Sequence, residues 1–186
     1  MPARSVVLAE DETDLLLFPP LRAGWSKRGA AAKVWLSGRN ARRVVFGAMN
    51  LRTGTRLLLP RLKGRSGDYQ AFVDEVRHHY RGWHVALLLD SDPSHTAQAS
   101  LRHAAGLTLL WLPKRSPELN PMDDLWGQAK DIISANKQYA TIDEQVERFL
   151  DHIYSLSDYD ALHTSGVLSG DFWLRDALSK NLWRPA

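Results

Sequence analysis

The sequence predicts an α/β fold in which helices flank a mixed five-stranded sheet. Five short apolar runs are typical of strands, and two of them, joined by the turn residues 50–54, form a predicted antiparallel hairpin. In the second half of the chain, segments with helical periodicity alternate with strands. A chain of 186 residues, 44% of them hydrophobic, has the size of one domain with a full core.

The predicted strands share a content of β-branched and aliphatic residues. They cover Ser5–Ala9, Arg43–Met49, Thr55–Leu62, Trp83–Leu89 and Leu107–Leu112. The run 83–89 is continuously apolar, which is typical of a strand buried on both faces. Because Pro60 has no backbone N–H, we expect it near an edge of the sheet or the end of its strand.

Helical periodicity and capping residues predict the helices. Ser66 is the expected N-cap of the first, whose buried residues are Tyr69, Phe72, Val73, Val76 and Tyr80. A short helix covers about Thr96–Ala105, and another begins at Pro121 after the N-cap Asn120, with a buried stripe of Met122, Leu125, Trp126, Ala129, Ile132 and Ile133. The capping box Thr141–Glu144 starts the next. We predict one domain over residues 1–186, with a core of about 5–155 and a helical tail over 156–186.

Basic residues are concentrated in one part of the chain. Twelve Lys and Arg residues, and no Asp or Glu, lie between Arg22 and Arg65, although the net charge of the protein is only +3. This block indicates a polyanionic partner, with a solvated basic hairpin as the alternative. Within it, Trp25 would stack on a base while Lys27 and Arg28 grip phosphates, or the tryptophan would anchor a turn.

The composition excludes several classes of protein. The chain has no cysteine, so it has no disulfide scaffold, thiolate zinc site or cysteine nucleophile. Its first residues lack the basic-then-apolar layout of a signal peptide, and no apolar run approaches the roughly 20 residues of a membrane span. We therefore expect a soluble intracellular protein without a membrane partner.

Three acids stand where the predicted sheet brings them together. Asp11 follows the first strand, Asp90 follows the fourth, and Asp123 lies in the helix after the fifth. Clustered carboxylates repel unless a cation neutralises them, and Mg²⁺ or Mn²⁺ prefers such oxygen ligands. Two such ions would activate a water or 3′-hydroxyl and stabilise the leaving oxygen in phosphodiester chemistry. Asp124 competes for the third position, but helical geometry turns Asp123 nearer to the sheet.

Four segments carry a family resemblance. They are Asp11-Glu12, GWSKRG at 24–29, LLLDSDPSH at 87–95 and LPKRSPELNPMDDLW at 112–126. Together they resemble the catalytic domain of mariner-superfamily transposases, in the branch of bacterial insertion sequences with an Asp-Asp-Glu/Asp triad, over about residues 5–155. The resemblance implies a ribonuclease H-like fold, two divalent ions (Mg²⁺ or Mn²⁺), and DNA strand cleavage followed by strand transfer at transposon ends. It also implies that Asp11, Asp90 and Asp123 are the catalytic metal ligands.

Three departures from the family pattern qualify this resemblance. The third acid is Asp where the insertion-sequence branch mostly has Glu, so the helix must come closer to the metals. Ser91 stands where Asn usually follows the second acid. Such transposases also carry helix-turn-helix modules ahead of the catalytic domain, for which this chain has no room. We therefore expect a separate upstream helix-turn-helix partner chain. The resemblance also implies a homodimer, which bridges two transposon ends, as the active form, and a cytoplasmic, nucleoid-associated location.

The resemblance and the charge pattern together predict DNA contacts. His95 would contact a phosphate or orient a metal ligand, or it would cap the next helix. The predicted DNA-binding residues are Lys27, Arg28, Arg42, Arg43, Arg52, Arg56 and His95. Without a helix-turn-helix module, binding is expected to be salt-sensitive and to show little preference for transposon ends.

Two other functions compete with this interpretation. The first is a catalytically idle transposase remnant or accessory subunit that binds DNA. The second is a haloacid dehalogenase-like phosphatase, since Asp90-Ser91-Asp92 resembles the Asp-x-Asp signature in which the first Asp is the nucleophile. That signature normally opens its fold, whereas here it comes halfway along the chain.

Overall fold

A computed structural model describes residues 4–178, which form a mixed five-stranded sheet with helices on both faces. The strands are β1 (Ser5–Leu16), β2 (Arg42–Asn50), β3 (Arg56–Arg61), β4 (His84–Leu89) and β5 (Thr108–Trp111), in the spatial order β3-β2-β1-β4-β5. β1 runs antiparallel to β2 and parallel to β4. All five predicted strands are present, and Pro60 lies near the end of the edge strand β3, as predicted.

The helices divide between the two faces of the sheet. They are α1 (Ser66–His79), α2 (Pro93–Thr96), α3 (Gln98–His103), α4 (Pro121–Ile133), α5 (Ile142–Ser155), α6 (Asp158–Thr164) and α7 (Arg175–Ala177). On one face Val6 and Leu8 of β1 pack with α1, and on the other Val7 and Ala9 pack with α4 and α5. This division follows from the alternation of side chains along a strand. Within residues 4–178, no helix is long and apolar enough to cross a membrane.

β1 is longer than the predicted strand Ser5–Ala9, and this difference changes the site. The strand continues to Leu16 because β2 pairs with it from Leu8↔Asn50 to Leu16↔Arg42. The acids 10–12 therefore lie inside the strand and not in a loop after it. The sequence predicts the end of the strand at Ala9 because the run of apolar residues ends there. Backbone pairing with β2 continues through the charged residues that follow.

Two predictions about helix starts are wrong. The helix expected over 96–105 is two short helices, because Pro93 opens α2 after the N-cap Asp92, and Ala97 breaks the path with ψ 136°. The N-cap of α1 is Arg65 and not Ser66, since the Asp68 carboxylate accepts a hydrogen bond from the Arg65 backbone N–H at 3.2 Å.

The helices α4 and α5 begin as predicted. The Asn120 side chain accepts a hydrogen bond from the Met122 backbone N–H at 3.2 Å, and the Thr141 hydroxyl accepts one from Glu144 at 3.1 Å. The predicted buried stripe of α4 holds as far as Ala129, but Ile132 is 57% exposed because it lies off the side that faces the sheet.

The core extends past residue 155, which was predicted as its end. The segment 156–178 contains α6 and α7, and its side chains at Ala161, Leu162, Val167 and Leu178 are buried in the same cluster as α4 and α5. The remainder of the predicted helical tail, including Trp183, lies outside the described residues.

Arg56 joins this C-terminal segment to the hairpin. Its guanidinium donates hydrogen bonds to the carbonyl oxygens of Gly54 and Leu156, both at 2.8 Å, and to the Asp158 carboxylate at 3.1 Å. The side chain is only 6% exposed. The prediction that Arg56 contacts DNA is therefore wrong, because its charge is buried and both terminal nitrogens of its guanidinium donate hydrogen bonds within the protein.

We expect Arg56→Ala to lower the free energy of unfolding by about 2 kcal/mol, because buried carbonyl oxygens would lose their donor. Urea denaturation measures this loss. The control is Asp158→Ala, which removes the exposed partner of the same ion pair and should cost about 1 kcal/mol or less. Equal effects of the two substitutions would contradict a structural role for Arg56.

Candidate active site

Asp11, Asp90 and Asp123 line one small pocket of about 100 Å³. The parallel pairing of β1 with β4 matches Ala9 with Leu88, so Asp11 and Asp90, each two residues further on, lie level with each other. Asp123 comes from the first turn of α4. Three separate elements of the fold thus direct one carboxylate each to the same place.

Asn120 fixes the start of α4 against β1. Its side-chain amide donates a hydrogen bond to the backbone oxygen of Glu10 at 2.9 Å, and this contact is buried. The bond is made directly before Asp11, so it holds the helix that carries Asp123 beside the strand that carries Asp11. The sequence indicated Asn120 only as an N-cap, because no local pattern signals a bond to a residue 110 positions away.

Asp123 and Asp124 face different surroundings. Asp123 lines the pocket with Asp11 and Asp90, whereas Asp124 lines another pocket beside Glu118 and Gly166. The geometry thus supports Asp123 as the third acid, the choice made from helical geometry.

Gly47 allows α4 to lie close to the sheet. It pairs with Asp11 across β1 and β2, and a Cβ built on it would come within 2.5 Å of the Trp126 ring and 2.9 Å of Leu58. The indole ring of Trp126 therefore lies where any other residue at position 47 would place its side chain. Since Trp126 is one turn beyond Asp123, this contact sets how closely the third acid approaches β1.

His95 lies beneath Asp90 and not at the surface. Its side chain is fully buried, and Nδ1 lies 3.2 Å from Asp90 Oδ1. A buried ring cannot reach a DNA phosphate, so the prediction of a phosphate contact is wrong. The alternative that His95 caps the next helix is also wrong, because His95 lies inside α2 and the N-cap of α3 is Ala97. The remaining expectation, that His95 orients a ligand, agrees with its contact to Asp90.

The carboxylates perturb one another. Burial, followed by the charge of Asp123, raises the pKa of Asp11 to about 9. Burial also raises the pKa of Asp123, although the Lys130 ammonium opposes it. The hydrogen bond from His95 lowers the pKa of Asp90. Oxygens of the three Asp residues are not all within 4.8 Å of one another, so a single ion would not contact all three without side-chain rotation.

A family model decides which group of proteins this fold and pocket belong to. The model of the DDE superfamily endonucleases matches residues 6–145. The chain belongs to this family. Together with the similar proteins described below, this match confirms the resemblance to catalytic domains of the mariner and insertion-sequence transposases, and it favours that family over the phosphatase alternative.

Two curated proteins are similar to this chain, and one of them is encoded by an insertion element. An uncharacterized 39 kDa protein of the insertion element IS630 from Shigella sonnei is 26% identical over 144 residues, which are 75% of this chain and 42% of that protein. An uncharacterized protein from Sinorhizobium fredii is 35% identical over 65 residues, 35% of this chain and 47% of that one. The matched part is therefore less than half the length of these curated relatives.

Solved structures confirm the predicted ribonuclease H-like fold. The Mos1 strand transfer complex superposes with a TM-score of 0.65 at 19% identity, covering 87% of this chain and 51% of that chain. The isolated catalytic domain of the Mos1 mariner transposase gives a TM-score of 0.57 at 18% identity and covers 87% of this chain and 76% of that one.

The predicted DNA-contacting residues differ in their surroundings. Lys27 and Arg28 lie in an exposed segment over 17–41 that has no regular strand or helix and joins β1 to β2. Trp25 in the same segment is fully exposed, so the alternative that it anchors a turn is wrong.

The basic residues on the hairpin are partly engaged. Arg42 pairs with Asp14, and Arg43 pairs with Asp143, each at 2.7 Å. Arg52 lies exposed in the turn between β2 and β3. An exposed ion pair such as that of Arg42 with Asp14 contributes little to stability, so exchanging Asp14 for a phosphate would cost little. Arg43 is more enclosed, at 23% exposed.

Two basic residues near the pocket were missed from the sequence. Arg115 lines it, and its positive φ of 60° places it in a tight turn between β5 and α4. Lys130 lies on α4 close enough to Asp11, Asp14 and Asp123 for their charges to oppose the lowering of its pKa by burial. Lys130 could have been found from its spacing, because it lies seven residues, or about two helical turns, after Asp123 on the same helix.

We expect the protein, without bound metal, to lose stability as pH rises from about 4 to about 9. Below about pH 4 the Asp11 carboxyl is protonated in both the folded and the unfolded chain. Between about pH 4 and pH 9 the unfolded chain releases this proton, whereas the folded chain keeps it because the pKa of Asp11 in the folded protein is about 9. Stability therefore falls as the pH rises through this range. Thermal unfolding in EDTA at about pH 5 and pH 8 measures the trend. Asp11→Asn should reduce this loss and also the gain from Mg²⁺ at about pH 8; an unchanged pH dependence would contradict the assignment.

Proposed function

We propose that this domain cleaves DNA strands and transfers them at transposon ends, using two divalent cations held by Asp11, Asp90 and Asp123. The observation that carries the proposal is the convergence of three carboxylates, from β1, from the end of β4 and from α4, on one pocket. A set of ligands made only of carboxylate oxygens suits Mg²⁺ or Mn²⁺. Such ions activate the attacking hydroxyl or water and stabilise the leaving oxygen.

The protein itself contributes positioning. Asp11 is held within a central strand, Asp90 by its hydrogen bond to His95, and Asp123 by the bond from Asn120 to β1. These supports fix the backbone around each carboxylate, and rotation of the side chains would complete the coordination of the cations. Arg115, which lines the pocket, is placed to meet a phosphate.

The segment 17–41 supports DNA as the substrate. It carries five basic residues and no acid, and two of its side chains, Trp25 and Trp35, are almost fully exposed. Lysines and arginines bind phosphates, and exposed indole rings stack on bases. The Mos1 structures include complexes with transposon ends. We propose that Lys27, Arg28 and Arg52 contact DNA and that the paired Arg42 and Arg43 join them.

Further features of the active assembly are also proposals. A homodimer would hold two transposon ends, and a helix-turn-helix module, outside this domain or in a partner chain, would recognise their sequence. A protein that acts on bacterial DNA in this way would be associated with the nucleoid.

Conversion of supercoiled plasmid to the nicked form tests the proposed activity. We expect nicking with Mg²⁺ or Mn²⁺ and none in EDTA. Nicking that survives EDTA would contradict the proposal, and DNA binding without nicking under any divalent cation would indicate a catalytically idle protein.

The double variant Lys27→Ala/Arg28→Ala should weaken DNA binding and lower its salt dependence. Each phosphate contact contributes about 0.9 to the slope of log K against log salt concentration, so the slope should fall by about 1.8. Fluorescence anisotropy with a labelled duplex at several salt concentrations measures it. Arg102→Ala on α3 is the control for the loss of one exposed charge. An unchanged slope in the double variant would mean that DNA does not contact Lys27 and Arg28.

A further inference from the structure

A second group of metal-ligating side chains lies on the opposite face of β1 from Asp11. Glu10 and Glu12 flank Asp11 in the strand. Because side chains alternate between the two faces of a strand, both glutamates point toward α1 and away from the pocket lined by Asp11, Asp90 and Asp123, here called the Asp pocket. There they meet His95 of α2. One donor atom from each of these three residues lies within 4.8 Å of the other two, the only such group found in residues 4–178.

The polar atoms of this cluster are buried without hydrogen bonds. Glu10 is 0% exposed, and neither of its carboxylate oxygens has a hydrogen-bond partner. The same holds for Oε2 of Glu12 and for Nε2 of His95. A buried carboxylate without a donor is costly for the fold. A protonated His95 would be an ion-pair partner of both glutamates, with Nε2 at 3.1 Å from Oε2 of Glu12 and 3.6 Å from Oε2 of Glu10. One N–H group, however, cannot satisfy both oxygens of Glu10 and Oε2 of Glu12 at once.

The separations suit a metal ion. Nε2 of His95 lies 3.1 Å from Oε2 of Glu12 and 3.6 Å from Oε2 of Glu10. Two ligand atoms that each lie about 2.1 Å from a tetrahedral zinc ion are about 3.4 Å apart. One of the two measured distances is slightly shorter than this separation and the other is slightly longer. Glu12 is partly exposed, at 22% of its side chain, and provides the open side.

The other ring nitrogen of His95 has the partner expected for a metal-bound histidine. Nδ1 lies 3.2 Å from Asp90 Oδ1 and 3.3 Å from the Asp90 backbone oxygen. A proton on Nδ1 shared with these acceptors leaves the lone pair of Nε2 directed at the two glutamates, which is the arrangement in which a carboxylate orients a histidine ligand.

We propose that Glu10, Glu12 and His95 form a divalent-metal site separate from the Asp pocket and suited to Zn²⁺. One nitrogen and carboxylate oxygens favour a transition ion over Mg²⁺, which prefers oxygen ligands and retains water. Because β1 supplies the glutamates and α2 the histidine, the ion joins these two elements. Through its bond to His95 the ion also fixes the orientation of Asp90, which is one of the three carboxylates of the Asp pocket.

Direct metal titration tests this site. The probe is Co²⁺, which replaces Zn²⁺ in such sites and absorbs visible light according to its ligands. The titration uses the Asp123→Asn variant, in which the Asp pocket is weakened. We expect one Co²⁺ per chain, displaced by one Zn²⁺ and not by an excess of Mg²⁺. Glu10→Gln and His95→Gln should each lower the affinity about 100-fold or more, whereas Asp14→Asn, an exposed acid of the same strand, should leave it unchanged.

Stability provides a second measurement that does not depend on those variants. The wild-type chain, stripped with EDTA and dialysed, should gain thermal stability on addition of stoichiometric Zn²⁺. The result that would overturn the proposal is no Zn²⁺-dependent gain together with no Co²⁺ absorption. A metal-free chain that Glu10→Gln stabilises and that Zn²⁺ leaves unchanged would show instead that His95 carries a proton shared by the two glutamates. Neither outcome bears on cation binding by Asp11, Asp90 and Asp123.

Discussion

Asp90→Asn is expected to reduce cation-dependent nicking by about 1,000-fold or more while the fold persists. The substitution removes the charge that binds the cation, and the loss of about 4 kcal/mol of electrostatic stabilisation corresponds to this factor. Asparagine keeps the side-chain oxygen that now accepts hydrogen bonds from the Asp92 backbone N–H at 2.9 Å and contacts His95. The turn after β4 should therefore survive. Nicking rates and circular dichroism measured together separate chemistry from folding.

Asp124→Asn is the matched control for the third position. Asp124 is the neighbour of Asp123 on α4 but lines a different pocket. We expect Asp123→Asn to reduce nicking as strongly as Asp90→Asn does, and Asp124→Asn to change it little. The opposite order would assign the third carboxylate to Asp124.

Gly47→Val is expected to lower the free energy of unfolding by about 3 kcal/mol, because its side chain would occupy the space of the Trp126 ring. For a domain of this size the loss corresponds to a fall of about 6–12 °C in the midpoint of thermal unfolding. The substitution should also move α4, and Asp123 with it, away from Asp11. We therefore expect nicking to fall further than the loss of folded protein explains, as measured at a temperature where the variant remains folded.

Gly127→Ala is the control for this substitution. Gly127 is on α4 beside Trp126, but a Cβ there meets no atom within 4 Å. Alanine in a helix interior should stabilise it by up to about 1 kcal/mol. A double variant, Gly47→Ala with Trp126→Leu, tests the contact further. Leucine at position 126 leaves room for the alanine side chain at position 47, so the double variant should lose less stability than the sum of the losses in the two single variants. Strict additivity would contradict the proposed contact.

The sheet and its order of elements were largely predictable from the sequence. Apolar runs such as 83–89 and the turn residues 50–54 are local signals, and they place β4 and the hairpin within a residue or two of their observed ends. The start of α4 was equally clear, because Asn120 and Pro121 specify a helix start through their own chemistry. Where a signal depended on long-range pairing, as in the second half of β1, the prediction failed.

The candidate site was predictable in part, for a related reason. The positions of Asp11 and Asp90 at neighbouring strands follow from the order of elements, so their proximity could be inferred. The role of Arg56 could not, because its partners at Gly54, Leu156 and Asp158 are fixed by tertiary packing. The cluster of Glu10, Glu12 and His95 was missed because it requires β1 to extend through the acids, which places alternate side chains on opposite faces.

A crystal structure of the protein grown or soaked with Mn²⁺, with anomalous scattering recorded at the manganese edge, would show whether the three carboxylates hold two cations. We expect two manganese peaks in the pocket lined by Asp11, Asp90 and Asp123, at about 2.2 Å from their carboxylate oxygens. Manganese bound elsewhere, with these three carboxylates free of it at saturating concentration, would rule out the proposed active site.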